Sequence, residues 1–330
     1  MKITGLSRRE LLRRSGAMGV IAASGSSHWL RAAEPRGKAD SCIFIWLGGG
    51  ACHIDTFDPK RRGDPQTKKA GSAYDPIDTA IDGVQLCEHL PQTAKILDRT
   101  AIIRSCHHDV IDEHAAAVNR VHTGRPPSGT TVYPSIGSVM AQQLGAGSEG
   151  VPAYVVMGYP SASRGPGFLG AHNSYLYLTE TALGPAALKR PHDVNRGRQQ
   201  RRNALLEQLR SDYLRRFAGQ QKVNDYVQAS LAGMKLAGPE FMQVFELQNE
   251  SKALRARYGG EFGQRCLLAR RLVQQGVRFV EVSFNLNFIN GTGWDTHNEG
   301  QKDQHMMIRQ LDQAYSTLLL DLEKHGRLDR

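Results

Sequence analysis

The chain has 330 residues, 40% of them hydrophobic, with 42 Lys+Arg against 32 Asp+Glu and a formal net charge of +10. That length buries a large core in one or two domains. Five cysteines, odd in number and without a C-x-x-C pair, lack the spacing of a thiolate metal site. Residues 1–33 hold Lys2, Arg8, Arg9, Arg13, Arg14 and Arg31 against Glu10 alone, so about half of the positive excess lies there. The remaining basic residues are scattered. Their one dense cluster, from Lys189 and Arg190 to Arg201 and Arg202, lacks aromatics to stack on bases and reads as a solvated face, not a nucleic-acid surface.

In chain order, Ser7-Arg8-Arg9-Glu10-Leu11-Leu12-Arg13 sets two adjacent arginines ahead of an uncharged run at residues 15–27. This is the layout of a twin-arginine export signal cleaved near residue 33, which places the rest of the chain outside the cytoplasm, periplasmic or secreted. The run is too short for a membrane span, which needs roughly 20 apolar residues. The alternative is an ordinary amphipathic first helix. No later segment is apolar enough to cross a bilayer.

Residues 41–47 form a continuous apolar run ending in Gly48-Gly49-Gly50, which predicts a buried parallel strand entering a loop. Helical spacing predicts a helix over 88–97, followed by a strand at 101–103. Asp112 is the expected N-cap of a helix through 115–118 that stops at Gly124. A small helix at 136–144 leads to a strand at 153–157. Residues 161–184, rich in Gly, Pro and Tyr, read as a surface excursion. Helices follow at 203–217, 222–235 and 239–258, the last with Pro239 at its first position. The whole of 161–258 reads as a loop and helical insertion. A helix at 262–275, with Gly276 as its C-cap, precedes a strand at 278–284, and a helix at 304–325 ends the chain. Alternating strand and helix predict an α/β fold with a mainly parallel sheet, whose sites gather at the carboxyl ends of the strands.

Three polar groupings stand out. His53 and Asp55 directly follow the triple glycine; in an extended segment both lie on one side and face a common ion or anion, and the alternative is a tight turn with an Asp cap. His107, His108, Asp109, Asp112, Glu113 and His114 crowd eight residues. His114 falls in the first helical turn, where the helix dipole disfavours the imidazolium and leaves a neutral ring suited to a metal or to nucleophilic attack; His107 and His108 read as bystanders. Asp295 and His297, in Trp294-Asp295-Thr296-His297, are spaced to supply two ligands to one divalent ion. His305 reads as a surface residue of the last helix.

Several of these residues belong to motifs that jointly resemble the DUF1501 family. They are Phe44-Ile45-Trp46-Leu47-Gly48-Gly49-Gly50, His53-Ile54-Asp55-Thr56-Phe57-Asp58-Pro59-Lys60, Glu88-His89-Leu90-Pro91, His122-Thr123-Gly124-Arg125-Pro126, Phe262-Gly263-Gln264 and Trp294-Asp295-Thr296-His297. The resemblance covers residues 41–330. It implies an exported protein similar to the alkaline phosphatase and sulfatase superfamily, with an alkaline phosphatase-like sandwich and divalent metal, Zn, Ca or Mg, serving hydrolysis of a sulfated or phosphorylated substrate. The nucleophile slot upstream of His122-Thr123-Gly124 falls on His114. The superfamily's first-strand metal Asp falls near Gly48 and is missing, so His53 or Asp55 takes its place. Asp295 and His297 resemble the Asp and His ligands ahead of the last long helix. The family continues past a segment like the last one here with a further strand and metal-ligating residues. The chain therefore reads as incomplete at its carboxyl end, with Leu311, Leu318, Leu319 and Leu322 expected to lie exposed. The function expected is that of an exported metal-dependent hydrolase, with a non-catalytic extracytoplasmic binding or structural protein of the same fold as the alternative.

Overall fold

Apolar side chains on successive residues suit a strand covered on both faces, and the run Cys42-Ile43-Phe44-Ile45-Trp46 forms β1 (Cys42–Trp46). In chain order follow β2 (Pro76–Asp78), β3 (Gln85–Cys87), α1 (Pro91–Lys95), α2 (His114–Thr123), α3 (Ile136–Leu144), β4 (Tyr154–Met157) and β5 (Leu176–Leu178). Then come α4 (Arg196–Arg216), α5 (Gln221–Leu236), α6 (Pro239–Met242), α7 (Lys252–Tyr258), α8 (Glu261–Gln274), β6 (Phe279–Ser283) and α9 (Gln304–Lys324). The computed structural model describes residues 37–330 apart from 182–183, 186–192, 237–238, 288 and 298–301. The export segment expected over residues 1–33 lies outside the described residues. Ala39–Arg330 form one compact unit.

Four strands make one sheet in the order β1-β6-β4-β5, and every neighbouring pair is parallel. β2 and β3 pair antiparallel in a separate ribbon. Period-two alternation divides the main sheet into two faces. Ile43, Ile45, Val155, Met157, Val280 and Val282 join the larger core, with Leu267, Leu268 and Leu272 of α8. Cys42, Phe44, Tyr154, Val156 and Phe279 point to the opposite face, where Ala141 of α3 covers them. α2 also packs there, setting His122 edge-on against Phe44 and Trp46 at centroid distances of 5.7 and 4.8 Å. Helices thus flank the sheet on both sides.

α9 lies against α8, α7 and α1, and it repairs a weakness of α1. Leu90 precedes that helix and offers no side-chain cap, so Asp312 of α9 does the work from outside. Its two carboxylate oxygens accept from Gln92 N at 3.0 Å and Thr93 N at 2.7 Å. Asp312→Ala is expected to cost about 1–2 kcal/mol, the usual loss of a capping carboxylate, and urea denaturation reads it directly.

Several expectations are revised. Residues 101–103 form no strand, and Ile103 is exposed. β5, three residues inside the stretch read as an insertion, joins the main sheet beside β4. The expected helix over 239–258 is broken: α6 gives way to two single 3-10 turns, and α7 restarts where Ser251 accepts from Leu254 N at 3.1 Å. Leu311 and Leu318, expected exposed, are buried in the main core, and Leu322 packs against it, because α8 covers that face of α9.

Candidate functional site

Between β6 and α9 the chain makes a glycine-rich turn that is fixed by one side chain. Trp294 is fully buried against Phe284, at a centroid distance of 5.3 Å, and Phe284 rests in turn on Phe262. That anchor sets the next residue, Asp295, beneath the carboxyl end of β1. Gly49 makes the approach possible: a Cβ built there would lie 2.3 Å from Asp295 N and 2.8 Å from the Trp294 carbonyl carbon. Gly49, the middle residue of the triple glycine, therefore serves backbone packing around Asp295.

Asp295 is 3% exposed. Its Oδ2 accepts from Gly291 N at 2.5 Å, while Oδ1 faces His114 Nε2 at 3.2 Å and His297 Nε2 at 2.7 Å. The potential ligand atoms of the three residues all lie within 4.8 Å of one another. His114 and His297 are partly open, with side chains 39% and 54% exposed, and their rings stack at 6.4 Å. α2 delivers His114 as its first residue. The N-cap is Glu113, not the expected Asp112: Glu113 accepts from Ala115 N at 2.8 Å and Ala116 N at 2.5 Å. Asp112 instead takes a left-handed conformation, φ +55°, that turns the chain into the helix. Gly124 closes the helix in the left-handed conformation, as expected.

Of the five residues expected at the site, the structure brings together His114, Asp295 and His297 and leaves His53 and Asp55 outside that group. His53–Asp55 is a 3-10 turn, so residues two apart no longer share a side as they would in an extended segment. Asp55 is buried, and its Oδ1 accepts from Ala73 N at 2.7 Å, holding the following loop. His107 and His108 are exposed and stand outside the group, and His305 packs at 5.6 Å from His89.

A cavity of about 320 Å³ opens beside the three residues at the carboxyl edge of the sheet. Trp46, Gly49, His114 and Val118 line both this cavity and a second one that reaches Asp295 and His297. A buried network beside it, Glu281 with Arg164, Tyr154 and His122, was not singled out as a site by the sequence. Glu281, at the centre of β6, is fully buried. It accepts from Arg164 Nε at 2.6 Å and from the Tyr154 hydroxyl at 3.3 Å, and it faces His122 Nε2 at 3.2 Å. Burial disfavours the Glu281 charge, but hydrogen bonds from His122 and Arg164 outweigh it and hold the carboxyl below its ordinary value. Burial and the Glu281 charge push the Tyr154 phenol well up, so it serves as a neutral donor. The other His122 nitrogen, Nδ1, lies 2.8 Å from the Val118 carbonyl oxygen. Both ring nitrogens therefore face oxygen atoms.

The chain belongs to the DUF1501 family, described as proteins of unknown function, whose model matches residues 39–330. It matches no curated protein and no solved structure.

Proposed function

We propose that the chain is an exported metal-dependent hydrolase of the sulfatase and phosphatase type, in an alkaline phosphatase-like fold with 161–258 as its loop and helical elaboration. The reading rests on one observation: His114, Asp295 and His297 converge at the carboxyl edge of a parallel sheet, beside a cavity. The donor set fits a divalent ion. Two imidazole nitrogens and one carboxylate leave a coordination position open, the pattern of catalytic zinc sites, and they suit zinc better than calcium or magnesium, which prefer oxygen ligands alone. The ion, when bound, polarises an ester oxygen or a water. His53 and Asp55 take no part, so one ion is proposed. His114, nearest the cavity, is the residue we assign as ligand or nucleophile.

Export rests on the arginine pair at Arg8 and Arg9 and the weakly apolar run after it. No helix among the described residues is long and apolar enough to cross a membrane. The twin-arginine machinery is accordingly the partner for transport, and no nucleic-acid partner is proposed.

One observation favours a second reading, a non-catalytic protein of the same fold. Asp295 already accepts from Gly291 and faces both imidazoles, so the three residues also suffice as a clamp that closes the 291–297 turn onto α2. Metal content separates the two. Under the first reading the purified protein holds about one equivalent of zinc by elemental analysis, and Asp295→Ala weakens zinc binding by at least roughly 10–100-fold, the range for losing a group that fixes a metal ligand. Turnover of an aryl sulfate or aryl phosphate should fall in step. Absence of stoichiometric metal, with no hydrolysis of either ester after zinc is supplied, leaves the clamp.

A further inference from the structure

The cavity beside His114 is chemically one-sided. Among the described residues, no Asp or Glu lines it. Its polar lining consists of Tyr159, Ser161, Ser163, Asn285 and Asn287, together with His114 and Arg164. Among the described residues Arg164 is the only Lys or Arg there, and it is held in place. Its Nε is committed to Glu281 and its Nη2 lies 3.4 Å from Ser283 Oγ, while Nη1 makes no hydrogen bond among the described residues. The side chain is 12% exposed, so only a small part of it meets the cavity.

The surroundings decide what Arg164 can do. Glu281 spends only the Nε side of the guanidinium and is itself shared, facing His122 Nε2 and accepting from the Tyr154 hydroxyl as well as from Arg164. The His122 ring lies edge-on to Trp46 and Phe44, which cover it. Arg164 is therefore fixed from behind while Nη1 stays uncommitted among the described residues, in a setting where a charge-assisted hydrogen bond is strong.

We propose that Arg164, set by Glu281 and His122, is the anchor for an oxyanionic group, a sulfate or phosphate, bound in this cavity with the neutral donors of Ser161, Ser163, Asn285 and Asn287 around it. As an anion site it stands on charges that need no metal. As the substrate anchor it rests on the hydrolase reading above, placing the anion beside His114. Arg164 is a binding residue in this assignment, and Glu281 and His122 are positioning residues.

The test uses the full chain stripped with EDTA and titrated calorimetrically with sodium sulfate and, separately, sodium phosphate, each against sodium chloride at matched ionic strength. Wild-type protein is expected to bind at least one of the two oxyanions in the absence of metal, and the tighter of the two identifies the group. The paired variant Arg164→Gln/Glu281→Gln removes one buried charge of each sign while keeping polar atoms in place. It should bind at least about tenfold more weakly, the loss expected for a charge-assisted bond. Arg164→Lys keeps the charge without the planar fork and should fall between the two, and it carries the test if the paired variant does not fold. Unchanged affinity in the folded variants overturns the proposal, as does failure of the wild-type protein to bind either oxyanion. Oxyanion binding that appears only after zinc is restored also overturns it, while leaving the metal reading intact. Oxyanion binding in a protein that takes up no zinc has the opposite meaning: the anchor stands and the hydrolase reading falls.

Discussion

Glu281→Ala is expected to destabilise the folded chain by about 3–5 kcal/mol at neutral pH, the cost of leaving buried charges without their partner. Glu281 is fully buried on the central strand, and three groups converge on it: Arg164, His122 and Tyr154. Truncation leaves the Arg164 guanidinium, the Tyr154 hydroxyl and the His122 ring around an emptied pocket without their shared carboxylate. The sign of the pH dependence follows from the direction of the shift. Because the folded carboxyl lies below its ordinary value, its contribution is complete above about pH 4.3, the unfolded value for Glu, and fades as pH falls through the folded value. Urea denaturation of the wild-type and variant proteins should therefore show the full gap at pH 7 and a shrinking gap in acid. A difference below about 1 kcal/mol at pH 7, within the range of exposed ion pairs, would show that the network is merely decorative.

Such a residue marks the boundary of what the sequence made legible. β1, β4 and β6 were readable because buried parallel strands are continuous apolar runs with glycine or polar turns at their ends. The signal for Glu281 was present too, as a lone acid in Phe279-Val280-Glu281-Val282, since a charge in a buried strand must be paired. It names a buried charge but not its partners. Arg164 lies in a Gly- and Pro-rich excursion with no periodicity, and only the fold brings it to β6. β5 was missed for a related reason: three residues carry too little pattern to separate a strand from a loop. His114, Asp295 and His297 were legible because each sits just after a strand or at a helix start, where topology collects residues. His53 and Asp55 shared that position, yet a tight 3-10 turn spends the Asp55 carboxylate on the Ala73 amide. Residue type and spacing identified the candidates, but local backbone conformation chose among them.

Gly49→Ala should dismantle the His–Asp–His group while Gly50→Ala leaves it standing. The two glycines are neighbours with nearly the same φ, +117° and +120°, so each variant carries the strain of placing an L-residue at positive φ, on the order of 1–3 kcal/mol. They differ in what a methyl group would meet. At Gly50 nothing lies within 4 Å, whereas at Gly49 the new Cβ would fall 2.3 Å from Asp295 N and 2.8 Å from Asp295 Cβ. Those are backbone atoms and the root of the Asp295 side chain, held from behind by the buried Trp294, so relief comes from displacing Asp295 relative to His114 and His297. A displacement of about 1 Å is enough to break the convergence on which a metal site depends, and the zinc binding proposed above should weaken by at least roughly 10–100-fold in Gly49→Ala. Calorimetric zinc titration of both variants, with urea denaturation to measure the shared strain, isolates the steric term by subtraction. Equal zinc affinity in the two variants would mean that the close approach of Gly49 to Asp295 has no bearing on the site.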